Sequence, residues 1–387
     1  MRKQEGLETA DVVVVGGGVI GLAIARALAM RGAGRVFLIE RTHPGAEASR
    51  AAAGMLAPQA EADGADAFFE LACASRNLYP ALADALREET GTDIELERTG
   101  TLYLAFTDED EREIEHRFAW QRRAGLSVER LSGDEARGLE PCISTLVRSA
   151  LRFPQDVQVE NRRLIAALSA SIEKRGVRLL VETNVESLII ERGRVAGVDT
   201  SRGVVSAPVV VVATGAWTSR LTSTDKAAPP LSIEPVRGQM LCFETNPALS
   251  ARHVIYSPRG YIVPRLDGRL LAGTTAERAG FEKRVTAGGI QAITSHALEI
   301  APAISDLPLV DSWAGLRPRA QDDWPVLGAC SETEGLFYAT GHYRNGILLA
   351  PLTGELIADE ITTNITPPQL QAFSPDRFHL STVGHVR

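Results

Sequence analysis

The chain has 387 residues, 44% of them hydrophobic and 23% charged, and its formal net charge at pH 7 is −8. This length exceeds what one hydrophobic core usually supports, so we expect two domains. The net negative charge argues against a general nucleic-acid-binding protein and against attraction to an anionic membrane surface, and it means that an anionic substrate would need a local cation.

Cysteine spacing and the N-terminal segment indicate the compartment. The four cysteines lie far apart and form no C-x-x-C pair: Cys73, Cys142, Cys242 and Cys330. This spacing predicts reduced thiols and neither a disulfide framework nor a metal site. The first ten residues, MRKQEGLETA, lack the apolar core of a signal peptide, and no apolar run reaches the length of a membrane span. We therefore expect a cytoplasmic location and no membrane partner.

Residues 11–40, DVVVVGGGVIGLAIARALAMRGAGRVFLIE, are the most informative stretch. They predict a buried strand at Val12–Val15, a glycine turn, a helix, and a second strand that ends in an acid. The glycines that fit G-x-G-x-x-G are Gly16, Gly18 and Gly21. In order, they permit the tight turn, let the backbone approach a pyrophosphate, and let the helix pack on the strand.

Glu40 closes the second strand and is placed to accept hydrogen bonds from an adenosine ribose, while the positive end of the helix faces the phosphates. A strand–helix–strand unit whose glycines merely turn the chain is the alternative, but it gives no reason for an acid at this position. The acid also disfavours a 2′-phosphate, so NADP is not the expected ligand.

Helices and strands alternate along the rest of the chain. Helices are predicted at 68–90, 108–124, 158–175 and 288–300, and 335–361 predicts a strand, a turn and a helix. Strands are predicted at 99–106, 177–181 and 209–213, with a meander over 185–203 and antiparallel strands over 233–275. Residues 41–55 are expected to form a loop of small residues.

Nucleotide-binding character thus appears in separated pieces, and the intervening pieces are richer in antiparallel strands. We predict an α/β fold with a discontinuous Rossmann-like dinucleotide-binding domain formed by residues 1–90, 150–225 and 310–387. An antiparallel, β-rich α+β substrate domain, formed by residues 91–149 and 226–309, is inserted into it.

Five motifs, in this order, resemble the D-amino-acid oxidase family of FAD enzymes, and within it the branch that oxidises glycine and is associated with making the thiamine thiazole. They are the glycine fingerprint, SRAAAGM (49–55), VVVATGAW (210–217), WAGLRP (313–318) and GHYRNGILLAP (341–351). The resemblance spans nearly the whole chain and implies that the dinucleotide is FAD. The sequence near Ala320 lacks the cysteine through which related sarcosine oxidases attach flavin, so we expect noncovalent FAD.

The resemblance assigns FAD-binding roles by position. The pyrophosphate and adenosine would be held by Gly16, Gly18, Ile20, Gly21, Glu40, Arg41, Ala48, Ser49 and Val185. The isoalloxazine would run over Ala53, Gly54 and Met55, where small residues permit close backbone approach, and Thr214 and Gly215 would end a strand facing the cofactor. A flexible surface loop is the alternative interpretation of SRAAAGM.

GHYRNGILLAP would place a helix N-terminus at the pyrimidine edge of the flavin, where two-electron reduction leaves negative charge that backbone N–H groups and the helix dipole stabilise. The candidates are His342, Arg344, Asn345, Gly346, Ile347 and Leu348. An ordinary surface turn before an amphipathic helix is the alternative, but it leaves Arg344 without a purpose.

At the substrate end, Arg317 matches the family's carboxylate-binding arginine, whose planar fork pairs with a carboxylate through two hydrogen bonds. Tyr261 matches the tyrosine that hydrogen-bonds the same carboxylate. Weaker candidates are Tyr256, Arg265 and Arg319. Ala276 stands where some family members have methionine, which predicts more space above the flavin.

The resemblance implies oxidative deamination of glycine or a small amino acid or amine. A hydride would pass from Cα to flavin N5, an imino acid would form, and O2 would reoxidise the flavin to yield H2O2. The alternative is a D-amino-acid or sarcosine-type amine oxidase or dehydrogenase that uses another electron acceptor. An NAD-dependent dehydrogenase, which would leave GHYRNGILLAP unexplained, and a noncatalytic subunit of an amine-oxidising complex are further alternatives. The resemblance also implies a homo-oligomer, of which a tetramer is one form.

Overall fold

The computed structural model describes residues 8–224, 231–245, 249 and 251–380. Most strands belong to three sheets, of six, eight and five strands. The longer helices are Val19–Met30, Ala67–Thr90, Asp108–Arg123, Asn161–Lys174, Ala287–Ile300 and Gly346–Thr363. Shorter helical turns are Ala48–Ala51, Pro58–Glu61, Gly133–Leu139, Gly215–Arg220, Pro302–Asp306, Pro368–Phe373 and Arg377–Leu380. Within the described ranges, no helix is long and apolar enough to cross a bilayer.

The six-stranded sheet carries the predicted nucleotide-binding unit. Its strands, in spatial order, are Val326–Ala329, Leu336–Thr340, Val209–Val212, Val12–Val15, Val36–Ile39 and Arg178–Leu180. All neighbours run parallel except the edge strand Val326–Ala329, which is antiparallel to the next strand. The predicted strand–helix–strand unit and the parallel strand after the crossover are therefore confirmed.

Two different partners cover the faces of this sheet, and this explains why its central strand is apolar throughout. Val12 and Val14 pack into the core formed with the helices, among them Val19–Met30. Val13 and Val15 point to the opposite face and pack against apolar residues of the five-stranded sheet. Since successive side chains of a strand alternate between faces, burial on both sides requires an unbroken apolar run.

The five-stranded sheet is the predicted meander with a short strand added at each edge. Its order is Glu8–Thr9, Gly203–Ser206, Arg194–Thr200, Val185–Glu191 and Thr222–Ser223. The three central strands are antiparallel neighbours, as the turn residues predicted.

The eight-stranded sheet forms the other half of the molecule. Its order is Leu309–Arg319, Glu234–Glu244, Arg269–Gly273, Gly260–Pro264, Val254–Ser257, Thr101–Ala105, Ser149–Phe153 and Glu129–Ser132. The pairs are antiparallel except Val254–Ser257 with Thr101–Ala105, which are parallel. Strands 149–153 and 309–319 were assigned by sequence largely to the nucleotide-binding domain, yet they pair within this sheet. The domain boundaries stay a prediction.

Two local predictions were wrong. Residues 41–55 are not all loop, because they contain the helix Ala48–Ala51 and the start of the strand Met55–Leu56. The helix predicted from residue 158 begins at Asn161, because Val157–Gln158 pairs with Met55–Leu56 as a short strand. The strand at Met55–Leu56 and the later start of the helix both arise from one long-range pairing that local periodicity does not reveal.

Gly21 determines how closely the first helix approaches the first strand. A Cβ at this position would lie 1.9 Å from the carbonyl oxygen of Gly16, which is backbone and cannot rotate away. We expect Gly21→Ala to lower the free energy of unfolding by about 3 kcal/mol or more, measured by urea unfolding of the FAD-free protein. Gly138→Ala, within the helix Gly133–Leu139 and with open space around it, should change it by about 1 kcal/mol or less. Equal losses would show that Gly21 carries no special packing constraint.

Candidate active site

A continuous cavity of about 750 Å³ connects the two large sheets. Its walls include the ends of parallel strands, at Val15 and Ile39, and residues of the eight-stranded sheet, at Met240 and Arg317. Ligands of open α/β sheets bind outside the carboxyl ends of the strands, and this volume is ordinary for a cofactor site.

The cavity collects most of the residues that the sequence predicted for cofactor and substrate. Those that line it are Gly16, Gly18, Ile20, Glu40, Arg41, Ala48, Ser49, Ala53, Gly54, Met55, Val185, Thr214, Gly215, Tyr261, Arg317, His342, Arg344, Asn345, Gly346 and Ile347. Gly21 and Leu348 lie outside it. Gly21 lies where the first helix packs against the first strand. Leu348 is buried in the core, where its carbonyl accepts a hydrogen bond from Ser75 Oγ at 2.7 Å.

The glycine turn is a close-packed stretch of backbone that leaves little room for side chains at its glycines. Gly16 has φ +108°, and a Cβ there would lie 2.5 Å from Ala213 O. A Cβ on Gly18 would lie 3.3 Å from Ser49 Oγ, which itself accepts a hydrogen bond from the N–H of Val19 at 3.0 Å. The first turn of the helix holds no acidic residue. A bare backbone at a positive helix end suits a phosphate group.

Glu40 lies beside this turn, as the fingerprint predicted. One carboxylate oxygen accepts a hydrogen bond from the N–H of Gly17 at 2.8 Å, and the other accepts one from the N–H of Thr42 at 2.9 Å. A carboxylate has about four acceptor sites, so these bonds orient the group and leave capacity for a ligand hydroxyl.

Arg265, one of the weaker substrate candidates, does not belong to the substrate site. It is buried and does not line the cavity. It donates hydrogen bonds to Ala53 O at 2.5 Å and to Val159 O at 2.8 Å, and its Nε lies 3.2 Å from the buried Glu160 carboxylate. Arg265 therefore anchors, from behind, the small-residue segment that lines the cavity.

The turn 341–345 leads into the helix Gly346–Thr363 and lies against the strand that carries Arg317. The N–H of Tyr343 donates to Pro318 O at 2.8 Å, and Tyr343 takes φ +46°. His342 is buried with Nε2 3.2 Å from Thr353 Oγ1, and burial lowers its pKa to about 3. His342 is therefore neutral at physiological pH.

Arg317 is a cation whose hydrogen-bond partners are neutral. Its guanidinium donates to Thr275 O at 3.0 Å and to Thr274 Oγ1 at 2.7 Å, and both of these acceptors are neutral. Within the described ranges, no carboxylate lies within ion-pair distance of it. Burial lowers the pKa of Arg317 below its ordinary value. An uncompensated guanidinium in a cavity wall is suited to bind an anion.

Gly238 makes room for this arginine and was missed by the sequence analysis. A Cβ at position 238 would lie 2.3 Å from a guanidinium nitrogen of Arg317. Gly238 stands in the middle of the strand Glu234–Glu244, opposite Gly315. A glycine inside a strand often marks a close approach, which is the signal that could have identified it.

Tyr261 and a second arginine, Arg344, line this end of the cavity, and Tyr256, a weaker candidate, contacts both of them without lining it. Tyr261 is buried, donates its hydroxyl to Met240 Sδ at 3.4 Å and stacks on Tyr256. Arg344 donates to the hydroxyl of Tyr256 at 2.6 Å and lies 3.3 Å from the carboxylate of Glu61. Glu61 raises the pKa of Arg344, and burial raises that of Tyr256. Unlike Arg317, Arg344 is already paired. Glu61, which also lines the cavity, was not among the residues predicted from the sequence.

Arg319 and Ala276, which were predicted to affect the substrate site, both lie outside the cavity wall. Arg319 does not line the cavity; it is paired with Asp323 and lies 3.6 Å from Glu234, so it is not a substrate residue in this structure. Ala276 is exposed and does not line the cavity, although the neighbouring Thr274 does. The effect of Ala276 on the size of the site stays a prediction.

Residues 11–360 match the model of the family described as FAD dependent oxidoreductase (DAO). The chain therefore belongs to this family, and it is an FAD-dependent amino-acid oxidase. It is 40% identical over 376 residues to the glycine oxidase of Geobacillus kaustophilus (strain HTA426), covering 97% of this chain and 98% of that protein. The crystal structure of glycine oxidase from Geobacillus kaustophilus superposes with a TM-score of 0.90 at 38% identity, covering 95% of this chain and 98% of that one.

A further relative is the bifunctional protein ThiO/ThiG of Trichormus variabilis (strain ATCC 29413 / PCC 7937), which is 37% identical over 373 residues. That alignment covers 96% of this chain and 55% of the bifunctional protein. Together the comparisons confirm the predicted family, fold class and FAD cofactor.

The burial of Arg265 and Glu160 predicts a large cost for breaking their ion pair. We expect Arg265→Leu to lower the free energy of unfolding by about 3–5 kcal/mol, because Glu160 and the Ala53 carbonyl lose a buried donor. Arg269→Leu is the matched control, since Arg269 pairs with the same Glu160 carboxylate but is more exposed; its loss should be about 1 kcal/mol or less. Urea unfolding of the FAD-free variants measures both, and equal losses would contradict the anchoring role.

The lowered pKa of His342 predicts a pH-dependent contribution to stability. The folded protein keeps this ring neutral, whereas the unfolded chain protonates it below its ordinary pKa of about 6.5, so stability falls as the pH drops below that value. By about pH 5 the loss is about 2 kcal/mol. His342→Gln lacks this term, so its stability deficit relative to the native protein should shrink by that amount between about pH 7.5 and about pH 5. His116→Gln, on an exposed helix face, controls for general effects. A deficit that is constant with pH would contradict the neutral, buried state.

Proposed function

We propose that this enzyme oxidises glycine or another small amino acid or amine, with Arg317 binding the substrate carboxylate. The observation that carries the proposal is the guanidinium of Arg317 in the cavity wall, hydrogen-bonded to Thr274 and Thr275 but paired with no acid among the described residues. A zwitterionic amino acid supplies the missing carboxylate. The net charge of −8 makes such a local cation necessary for an anionic group.

The cavity fits FAD at several points along its length. The cradle at Gly16 and Gly18, which a Cβ would fill, suits the pyrophosphate, and Glu40 lies beside it for the adenosine ribose. The segment Ala53–Met55 offers small residues and backbone to a planar ring, and Arg265 anchors it. The helix that begins at Gly346 directs its positive end into the cavity, where the reduced ring carries negative charge.

When bound, FAD would supply the two-electron oxidation at Cα, with O2 as the final electron acceptor and H2O2 as its product. The protein contributes position and charge. Arg317 fixes the carboxylate, and the hydroxyl of Tyr261, which contacts Met240 Sδ and Thr274, lines the same cavity and can donate a hydrogen bond to the same group. Because His342 is neutral, it adds no positive charge that would compete with Arg317 for the substrate carboxylate. The imino acid product then releases ammonia in water.

The glycine oxidase relatives support glycine as a substrate, and similarity to the protein ThiO/ThiG supports a role in making the thiamine thiazole. A D-amino-acid or sarcosine-type amine oxidase, or a dehydrogenase that passes electrons to another acceptor, is the alternative. Oxygen consumption by the purified protein with glycine, sarcosine and small D-amino acids distinguishes them. A cytoplasmic location and a homo-oligomer, with a tetramer possible, stay predictions.

The test of the proposal is Arg317→Ala. We expect kcat/KM for glycine to fall about 100-fold, mainly through KM, because two charge-assisted hydrogen bonds to the carboxylate are lost. Purified protein should stay yellow, since Arg317 is placed at the substrate end of the cavity. Arg319→Ala, two residues along the same strand and paired with Asp323, is the matched control and should retain native kinetics. Unchanged kinetics in Arg317→Ala would remove Arg317 from the substrate site.

A further inference from the structure

One segment of the eight-stranded half reaches across to the nucleotide-binding half. After the strand Arg269–Gly273 the chain forms no regular helix or strand until Ala287–Ile300. Within this stretch, residues 279–284, here named the clasp, contact residues that line the cavity near Glu40. The clasp is therefore placed at the end of the cavity where the adenosine of FAD is proposed to bind.

Phe281 is the apolar contact of the clasp. Its ring centroid lies 5.7 Å from that of Trp217, and the guanidinium carbon of Arg220 lies 3.5 Å from the Phe281 centroid. On Trp217, the guanidinium carbon of Arg41 lies 3.9 Å from the ring centroid. The result is a continuous row of contacts from Arg41 through Trp217 and Phe281 to Arg220, in which every member except Phe281 lines the cavity.

Lys283 provides a second contact through charge. Its Nζ lies 2.8 Å from one carboxylate oxygen of Glu47, and the other oxygen of Glu47 accepts a hydrogen bond from Arg41. Glu47 directly precedes the helix Ala48–Ala51 and also lines the cavity. Arg41 is thus held from two directions by the clasp, through Trp217 and through Glu47.

We propose that the clasp retains FAD. Phe281 and Lys283 are positioning residues that hold Arg41, Glu47 and Trp217 around the adenosine end of the cavity, and the cofactor dissociates only after the clasp has detached from them. The proposal rests on the proposed FAD site. Because the Lys283–Glu47 pair is partly exposed and such pairs are weak, the aromatic contact of Phe281 contributes most of the retention.

The test is the rate at which FAD leaves the purified holoenzyme after dilution, followed by the fluorescence of released flavin. We expect Phe281→Ala to speed release about tenfold, since the loss of an aromatic contact and its buried area corresponds to about one decade. Lys283→Gln should speed release about two- to threefold, and only at low salt, because an exposed ion pair is screened. Phe281→Tyr keeps the ring and should restore the native rate.

Arg284→Gln is the matched control. Arg284 is adjacent to Lys283, is largely exposed and pairs with Glu282 inside the clasp, so its loss should leave the release rate unchanged. In Phe281→Ala, kcat at saturating FAD and the melting temperature of the FAD-free protein should also stay at native values. These two readouts separate cofactor retention from a general loss of structure.

Three results would overturn the proposal while leaving the proposed function intact: release from Phe281→Ala at the native rate, equal acceleration in Arg284→Gln, or acceleration accompanied by a matching fall in the melting temperature of the FAD-free protein. A native protein that takes up no FAD would instead contradict the proposed function itself.

Discussion

A backbone hydrogen bond from the N–H of Tyr343 to Pro318 O joins the two halves of the site. Pro318 follows Arg317 on an edge strand of the eight-stranded sheet, whereas Tyr343 lies in the turn after a strand of the six-stranded sheet. The bond fixes the proposed carboxylate-binding arginine relative to the helix end that begins at Gly346. Since catalysis by a bound cofactor depends on the placement of substrate against its reactive atom, this contact constrains the geometry of the whole site.

The arginines along the cavity differ in whether an acidic residue already pairs with them, and this difference separates their roles. Arg344 is paired with Glu61, and Arg41 is paired with Glu47. Arg317 alone, among these three arginines, has only neutral partners. A cation that is already compensated supports local structure, whereas an uncompensated one attracts an anion. Of these three arginines, Arg317 is therefore the one whose guanidinium can attract a carboxylate at the substrate end of the cavity.

Local sequence patterns predicted most individual elements but not the pairing of strands that are distant in sequence. The glycine fingerprint, the meander and the helix that begins within GHYRNGILLAP follow from periodicity and turn chemistry, and the structure contains all of them. The short pairing of Met55–Leu56 with Val157–Gln158 and the parallel pairing of Val254–Ser257 with Thr101–Ala105 join segments far apart in sequence. No local signal specifies such partners, so neither pairing was predicted from the sequence.

By itself, the sequence determined the nucleotide-binding unit and, through the resemblance of its motifs, the family, and most of the site residues that it predicted line the cavity. These features depend on residue types at short, characteristic spacings. Only the tertiary structure decided the roles of the arginines. Arg265 lies behind the cavity wall, Arg319 forms a surface ion pair, and Arg317 lines the cavity with neutral hydrogen-bond partners and no acidic one in the described part of the chain. A guanidinium has the same chemistry at all three positions. What differs is its burial and the charge of its neighbours, and both arise from residues brought together by folding.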